Sequence, residues 1–315
     1  MATMEIPMPD RRHHFERPYI LHMFTPGQLM SPFDINMAAD AGYQLLPSYT
    51  GVTLESIVGL TQDAIFSRGP KGVARTGLFI GGRDVMLAAD MLDAARKSMV
   101  KPFVVSAMAD PSGSYTTAAA MVAYVDCQLR KAHKTSFEGK RVTILGGVGT
   151  VGRIAGVLAH QLGAQVRLSS HLGADVAQKA AEEVNVRFGA ALSGVSGQDS
   201  EAVRASVVDA DIILATAAAG IRVLSAENLA AAKALLVTAD VNAVPPEGIA
   251  GVGVMDSGLL LPGTRAVGIG ALAIGNVKYQ VQHRLLMRMR AAEEPIYLSF
   301  PEALEVAREV LREAP

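Results

Sequence analysis

Val142-Thr143-Ile144-Leu145-Gly146-Gly147-Val148-Gly149-Thr150-Val151-Gly152-Arg153-Ile154-Ala155-Gly156 joins an apolar run to a glycine-rich bend and then to an amphipathic repeat. Within it, Gly147 to Gly152 spell G-x-G-x-x-G. The pattern alone is weak, but a preceding strand and a following helix give it a mechanism. Gly147 is expected to make the tight turn, Gly149 to let a pyrophosphate approach the backbone, and Gly152 to let helix and strand pack closely. Val148, Thr150 and Val151 complete the bend, and the helix start offers free N–H groups and a positive dipole end to phosphates. The alternative is a glycine turn that holds no ligand.

Downstream, apolar runs and helical repeats alternate. Strands are expected at Arg141–Leu145, Gln165–Ser169, Ala190–Val195, Asp211–Ala215, Ala234–Ala239 and Arg265–Ile269. Helices lie between them, including Val151–Leu162 ended by Gly163, and one capped by Ser225 and running through Lys233. The strands are nearly continuously apolar, as in a parallel sheet covered on both faces. This predicts an α/β fold with a Rossmann-type doubly wound parallel sheet, and the series behind the glycine bend favours dinucleotide binding over an empty turn. At the tip of its second strand stand Ser169, Ser170, His171 and Leu172, with no acid to hold a ribose 2′-hydroxyl and no arginine for a 2′-phosphate. That tip reads as permissive toward NAD and NADP, unless these are merely solvated loop residues. Thr216 and Ala217 follow the fourth strand, where small residues leave room for a ribose.

Upstream, Tyr19–Phe24, Thr76–Ile80 and Phe103–Met108 read as strands. Ala88, Met91, Leu92, Ala95 and Met99 form a buried helical stripe, and a helix runs from about Ser114 to His133. The expected organisation is an arm over 1–18, a smaller α/β substrate domain over 19–134 completed by a terminal helix in 293–315, and a nucleotide domain over 135–292, with the active site in the cleft between them. Two terminal helices are expected at Asn276–Arg290 and Pro301–Arg312; Leu285, Leu286, Met287 and Met289 on the first suggest either a surface for a homo-oligomer partner or part of the core.

Composition narrows the function. Half of the 315 residues are apolar, so a large core can form. A balance of 29 basic against 30 acidic residues gives no sign of a nucleic-acid or anionic-membrane binder. The single Cys127 rules out an intramolecular disulfide and a multi-cysteine zinc site, and suits a reducing compartment. The polar start of the chain has no apolar signal core, and no uncharged apolar run reaches the roughly 20 residues needed to cross a bilayer. A cytoplasmic location is expected. His13, His14 and His22 lack metal-ligand spacing and no metal motif is present, so no metal is expected.

Several segments carry a family resemblance. The glycine bend, Ala239–Ile249 (ADVNAVPPEGI), Gly268–Gly275 (GIGALAIG), Phe33-Asp34, Ser67-Arg68-Gly69, Phe79–Asp84 (FIGGRD) and Asp110–Ala120 (DPSGSYTTAAA) together resemble the methylene-tetrahydromethanopterin dehydrogenases of one-carbon metabolism in methylotrophic bacteria. The likeness runs from about Tyr19 to the end. That family has an NADP-only branch, with basic residues after the second strand, and a branch using both NAD and NADP. His171 and Leu172 stand at that place here, which favours the dual branch.

The resemblance implies oxidation of methylene-tetrahydromethanopterin to the methenyl form during formaldehyde oxidation. Two nitrogens flank the reacting carbon and stabilise the cation left after hydride departure, so no general base is required. The enzyme must hold that carbon about 3–3.5 Å from the nicotinamide and exclude water. Candidate pterin-binding residues are Asp34, Arg68, Gly81, Gly82, Asp110, Ser112, Gly113, Ser114, Thr116 and Thr117. Helix capping is the plainer reading for Asp110 or Ser114, and surface ion pairing for Asp34 or Arg68. Asp240, Asn242 and Gly270 are expected toward the cofactor, although Asn242 and the following prolines could simply fix a turn. Lys278 could position the substrate or be a solvated helix lysine. Two rivals remain. A methylene-tetrahydrofolate dehydrogenase with cyclohydrolase activity would carry a Tyr-x-x-x-Lys pair, and no tyrosine here has lysine four positions on. A non-enzymatic NAD(P)-binding regulator would keep the glycine bend without a substrate pocket.

Overall fold

The computed structural model describes residues 17–313, so the expected arm lies outside the described residues except for Arg17 and Pro18. The first part of the chain runs β1 (Ile20–Phe24), α1 (Pro32–Asp40), β2 (Ser48–Tyr49), α2 (Ser56–Phe66), α3 (Pro70–Val73), β3 (Thr76–Ile80), α4 (Val85–Ser98), β4 (Ser106–Ala109), a 3-10 turn (Pro111–Gly113) and α5 (Ser114–His133). The second runs β5 (Arg141–Leu145), α6 (Thr150–Gln161), β6 (Gln165–Ser170), α7 (Ala174–Phe188), β7 (Ser193–Ser196), α8 (Ser200–Val207), β8 (Ile212–Ala215), α9 (Ala226–Ala231), β9 (Val237–Asp240), β10 (Ser257–Leu260), β11 (Val267–Ile269) and α10 (Ala271–Ala291). The chain then adds β12 (Tyr297–Leu298) and α11 (Phe300–Glu313).

Two sheets result. The first has the order β12-β4-β3-β1-β2 and is parallel throughout. The second has the order β10-β11-β9-β8-β5-β6-β7 and is parallel except for the β10–β11 pair. This is the doubly wound α/β architecture that the apolar strands imply: every residue of β3 and of β8 is buried, as strands covered on both faces require. In each sheet the strand order reverses once, between β1 and β3 in the first and between β5 and β8 in the second. Ligand crevices of open α/β sheets form at the carboxyl ends of strands flanking such reversals.

α5 joins the two halves. Its faces are buried almost all round, the mark of a helix inside a molecule rather than on it. It packs against α6, α10 and α11, and one continuous apolar core includes residues of both sheets. Phe300 closes the seam, with its ring edge-on to Tyr115 of α5 (centroids 5.3 Å apart) and to Phe188 of α7 (5.1 Å). Outside it, Arg187 of α7 donates to Asp90 (2.7 Å) and Asp93 (2.8 Å) of α4.

Some expected boundaries move for local reasons. β7 begins at Ser193 because the Leu192 N–H and C=O are already taken by the Asn185 side chain (2.8 and 2.9 Å). β9 begins at Val237 because residues 232–235 form turn bonds after α9. β4 begins at Ser106, where pairing with Gly77 starts. α10 starts five residues before the expected Asn276. Its Leu285, Leu286 and Met289 belong to the core and only Met287 is exposed, which decides for core over partner surface on this face.

Phe300→Ala should lower the unfolding free energy by about 3–5 kcal/mol, the usual cost of deleting a buried aromatic ring. Urea unfolding followed by circular dichroism reads it; a loss under about 1 kcal/mol would mean the seam does not depend on this ring.

Candidate functional site

The reversal in the first sheet opens a cavity of about 1010 Å³. Its wall is the loop from Thr25 to Asp34 after β1; Gly82, Arg83 and Asp84 after β3, Ser112 and Gly113 before α5, and Lys278 of α10 complete it. Gly82 has φ +107°, and a side chain there would press on the Pro26 ring, so the two loops can meet only through glycine. Gly81 sits just beneath, its N–H donating to Phe24 O (2.9 Å).

The polar side of the cavity is organised by buried groups. Asp110 is fully buried; its Oδ1 accepts from the backbone N–H groups of Tyr115 (3.0 Å) and Thr116 (3.2 Å), and its Oδ2 from the Thr116 hydroxyl (2.7 Å). Asp110 is therefore the acid that caps α5, while Ser114 is buried without a capping bond. Thr117 donates to Gly113 O (2.7 Å), and Ser112 donates to Gly82 O (2.8 Å), tying the α5 entry to the β3 loop. Gly113 has φ +66°, and a Cβ there would lie 3.0 Å from Lys278 Cε. The bare backbone makes room for the lysine.

Lys278 Nζ donates to Gln282 Oε1 (2.5 Å) and lies 3.7 Å from the Phe33 ring centroid. Gln282 Nε2 donates in turn to Asp34 Oδ1 (2.7 Å). The plainer reading of Asp34 as a surface residue is thus corrected: it is 3% exposed. Burial, aided by the charge of Asp110, pushes its carboxyl up to about 7, against the opposing pull of Gln282 and Lys278. Burial also raises Asp110 and lowers Lys278, each shift opposed by the other's charge. The three donors on Asp110 favour its charged form and oppose the effect of burial.

In the second sheet the glycine bend follows β5 at the reversal. The left-handed turn falls on Gly146 (φ +72°), which corrects its placement at Gly147. Gly147 is needed for packing instead: a Cβ there would sit 2.7 Å from Ile144 O and 3.0 Å from Leu168 Cα. Gly152 packs equally hard, with a virtual Cβ 2.7 Å from Gly147 Cα and from Thr216 Oγ1. Gly149 differs, meeting nothing closer than Gly146 O at 3.4 Å, and no side chain caps α6. The N–H groups of Thr150, Val151 and Gly152 thus have no acceptor within the helix. This cradle fits a pyrophosphate.

Cavities lie on both sides of the bend. One of about 530 Å³ is lined by Val148, Gly149, Thr150 and Arg153 together with Arg83 and Asp84 of the first half. The other, of about 650 Å³, is lined by Gly146, Ser169, His171, Ala217 and Ala218, and by Gln198, Asp199 and Arg222. Ser170 is buried beside it and accepts from Leu172 N (3.1 Å).

Several expected site residues do other work, among them Thr216, whose hydroxyl donates to Leu145 O (3.3 Å) and Gly146 O (3.2 Å). Arg68 lies at the opposite, amino end of β3, donating to Thr76 Oγ1 (2.9 Å), Arg75 O and Pro18 O. The Asp240 carboxylate is taken by the N–H groups of Asn242, Gly248 and Ile249. Asn242 accepts from Gly220 and Val244 and donates to Pro246 O (2.7 Å), which fixes the loop as the turn reading had it. A Cβ on Gly270 would lie 2.0 Å from Gly253 O, so that glycine serves chain packing. Conversely, Asp199 and Gln282 escaped the sequence reading, and Phe33, Arg83 and Asp84 entered it only within the segments that carry the resemblance. Gln282 had a legible signal, its i+4 spacing from Lys278 on a helix.

Residues 32–112 match the family model described as methylene-tetrahydromethanopterin dehydrogenase, N-terminal. The chain is 50% identical over 291 residues to the NAD(P)-dependent methylenetetrahydromethanopterin dehydrogenase of Methylorubrum extorquens, covering 92% of this chain and 98% of the relative. It is 31% identical, over the same shares, to the bifunctional protein MdtA of that organism. Among solved structures it is similar to shikimate 5-dehydrogenase from Listeria monocytogenes with shikimate and NAD (12% identity, TM-score 0.52, 93% and 96% of the two chains). It is also similar to quinate dehydrogenase from Corynebacterium glutamicum with NAD (12%, TM-score 0.50, 92% and 98%). The two structures support the fold alone.

Two outcomes follow from this geometry. Gly149→Val should weaken NAD⁺ binding in calorimetry by about tenfold or more, the scale of a lost charge-assisted contact, with unchanged thermal unfolding; unaltered affinity would place the phosphates elsewhere. The raised Asp34 carboxyl stabilises the fold fully below about pH 4, and that contribution is lost as pH rises toward about 7. Asp34→Asn, which keeps the acceptor for Gln282, should therefore flatten the fall in melting temperature across that window. An identical slope in the variant would show that Asp34 is not the titrating group.

Proposed function

The chain belongs to the methylenetetrahydromethanopterin dehydrogenase family, and from that premise we propose that it transfers a hydride from the methylene bridge of methylene-tetrahydromethanopterin to NAD⁺ or NADP⁺, giving methenyl-tetrahydromethanopterin in formaldehyde oxidation. One observation carries the reading: Arg83 and Asp84 line both the crevice of the first sheet and the cavity at the glycine bend. A pterin in the first and a dinucleotide on the second would meet at these residues.

Bound NAD(P)⁺ supplies the hydride acceptor, and the protein's task is to hold, orient and exclude water. The Asp84 carboxylate caps α4, accepting from Met86 N (2.9 Å) and Leu87 N (3.1 Å), which keeps the β3 loop in place. Arg83 is exposed and makes no ion pair with a described residue, so its cation is free for the phosphates of the nucleotide. Lys278 reaches the cavity between Gly113 and Phe33 and is placed to donate to a pterin carbonyl. A lysine beside a substrate that becomes a cation would oppose the reaction unless balanced. Asp110 supplies that balance, and Asp34 can add a second negative charge by releasing its proton.

Among the described residues no helix is long and apolar enough to cross a membrane. The proposed compartment is the cytoplasm, which the lone half-buried Cys127 suits. Self-association is part of the same proposal. Support comes from the edge strand β10, where Leu259 and Leu260 are each about 60% exposed, as is Met255 just before it.

Assay of the methanopterin and folate carriers side by side, each with both nucleotides, tests the reading. Reduced nicotinamide should form fastest with the methanopterin carrier, and absence of turnover despite tight nucleotide binding would favour the regulator. Lys278→Met should lower kcat/KM for the pterin by about a hundredfold, the cost of a misplaced substrate, while leaving NAD⁺ affinity unchanged. Equal activity would leave Lys278 with a structural role only, through Gln282 and Phe33.

A further inference from the structure

We propose that Asp199 makes this chain prefer NAD⁺ over NADP⁺, supplying from β7 the acid that the tip of β6 lacks. The inference rests on the cofactor reading above. Dinucleotide folds that select NAD usually place a carboxylate at the end of the second strand, where it takes a hydrogen bond from the ribose 2′-hydroxyl and repels a 2′-phosphate. Here that strand ends in Ser169, Ser170 and His171.

The next strand brings a carboxylate to the same cavity. β7 runs parallel to β6, with Val195 opposite Ser169 and Ser196 opposite Ser170. The two loops that follow are joined: Gly197 N donates to Ser170 O (2.8 Å), and a Cβ at Gly197 would lie 2.3 Å from Ser169 Oγ. Asp199 stands two residues further on, as the N-cap of α8, and lines the cavity with Ser169 and His171. Its Oδ1 accepts from Ala202 N (2.8 Å), which fixes the side chain; its Oδ2 takes no hydrogen bond from a described residue. One oxygen orients the group and the other is left for a ligand.

The other groups facing the cavity do not cancel this charge. Arg222, the other fully charged side chain there, is already paired with Glu247 Oε2 (2.7 Å) and also donates to Glu247 O. His171 faces the cavity from the β6 tip. From α8 and α9 come only neutral groups, Ser200, Ser225 and Asn228, and the Asn228 amide is held by Ser200 (3.0 and 3.1 Å). A 2′-hydroxyl can donate to Asp199 Oδ2. A 2′-phosphate brings a second negative charge to the same oxygen, and the one arginine on the cavity, Arg222, already shares its charge with Glu247. NADP⁺ is tolerated because the cavity is open and screened by water, but it binds less well.

The test uses ADP and 2′,5′-ADP as probes of the adenosine half, titrated calorimetrically into the full chain and followed by NAD⁺ and NADP⁺. The unsubstituted protein should bind ADP more tightly than 2′,5′-ADP, and the gap should narrow with added salt. Asp199→Asn retains an acceptor for Ala202, and Asp199→Ser provides a second capping variant should the first fold poorly. Either should shift the affinity ratio toward 2′,5′-ADP by about tenfold, as removal of one charge a few ångströms away implies. A ratio within about twofold of the parent overturns the proposal, as does an equal weakening of both probes, which would put Asp199 on the adenine. If the unsubstituted chain binds neither probe nor NAD⁺, the placement of the cofactor itself fails, and the role of Asp199 with it.

Discussion

The start of α5 rests on a carboxylate that has no access to water. A buried charge is tolerated only when its lone pairs are met, and Asp110 meets that condition with the Tyr115 and Thr116 N–H groups and the Thr116 hydroxyl. The interaction fixes where α5 begins, and with it the left-handed bend at Ser112 and Gly113. Because α5 also packs against α6, α10 and α11, the same anchor sets how the carboxyl ends of the two sheets face each other. Both crevices depend on that placement, since Ser112 and Gly113 form part of the first and α6 opens at the second.

Two acids and one amine around the first cavity form an electrostatic unit. Each member is shifted by burial; Lys278 opposes the rise at both acids and they oppose its fall, while the charge of Asp110 adds to the rise at Asp34. Gln282 links Lys278 to Asp34 through one amide, accepting from the first and donating to the second. That direction is set by chemistry, because an ammonium can only donate. The reaction proposed for this cavity ends with a cation where a neutral carbon began. A pocket that keeps its lysine balanced by Asp110, with Asp34 able to ionise near neutral pH, does not penalise that change. This is consistent with a site that works by placement rather than by proton abstraction.

Much of the fold was legible because parallel strands covered on both faces are written as short apolar runs, and the glycine bend came with its strand and helix attached. Fine placement was less legible. Gly146 and Gly147 are adjacent, and which one turns and which one packs depends on Leu168 and Ala217, residues distant in sequence. Asp34 stood as a pterin candidate with a surface ion pair as the plainer reading, because nothing local announces that Gln282, 248 positions later, covers it. Arg68, Asp240 and Asn242 had the right chemistry for ligands, but their hydrogen bonds are already used to hold the amino end of β3 and the loop after β9. A polar residue near a strand end is a ligand only if the chain leaves its lone pairs or protons unspent, and that accounting needs coordinates.

The same accounting shows how a chain can lack a familiar specificity residue and still discriminate. The tip of β6 and the start of α8 border one cavity, so a carboxylate on either can act on the same ribose. A side chain at the β6 tip has no helix N–H to hold it. One at a helix N-cap is held by the helix's own N–H, as Asp199 is by Ala202. Capping and recognition then draw on different oxygens of one group, and the cap lowers the entropy lost when a ligand binds. An asparagine would keep the cap and lose the charge, so at this position stability and nucleotide preference can be separated by a single atom.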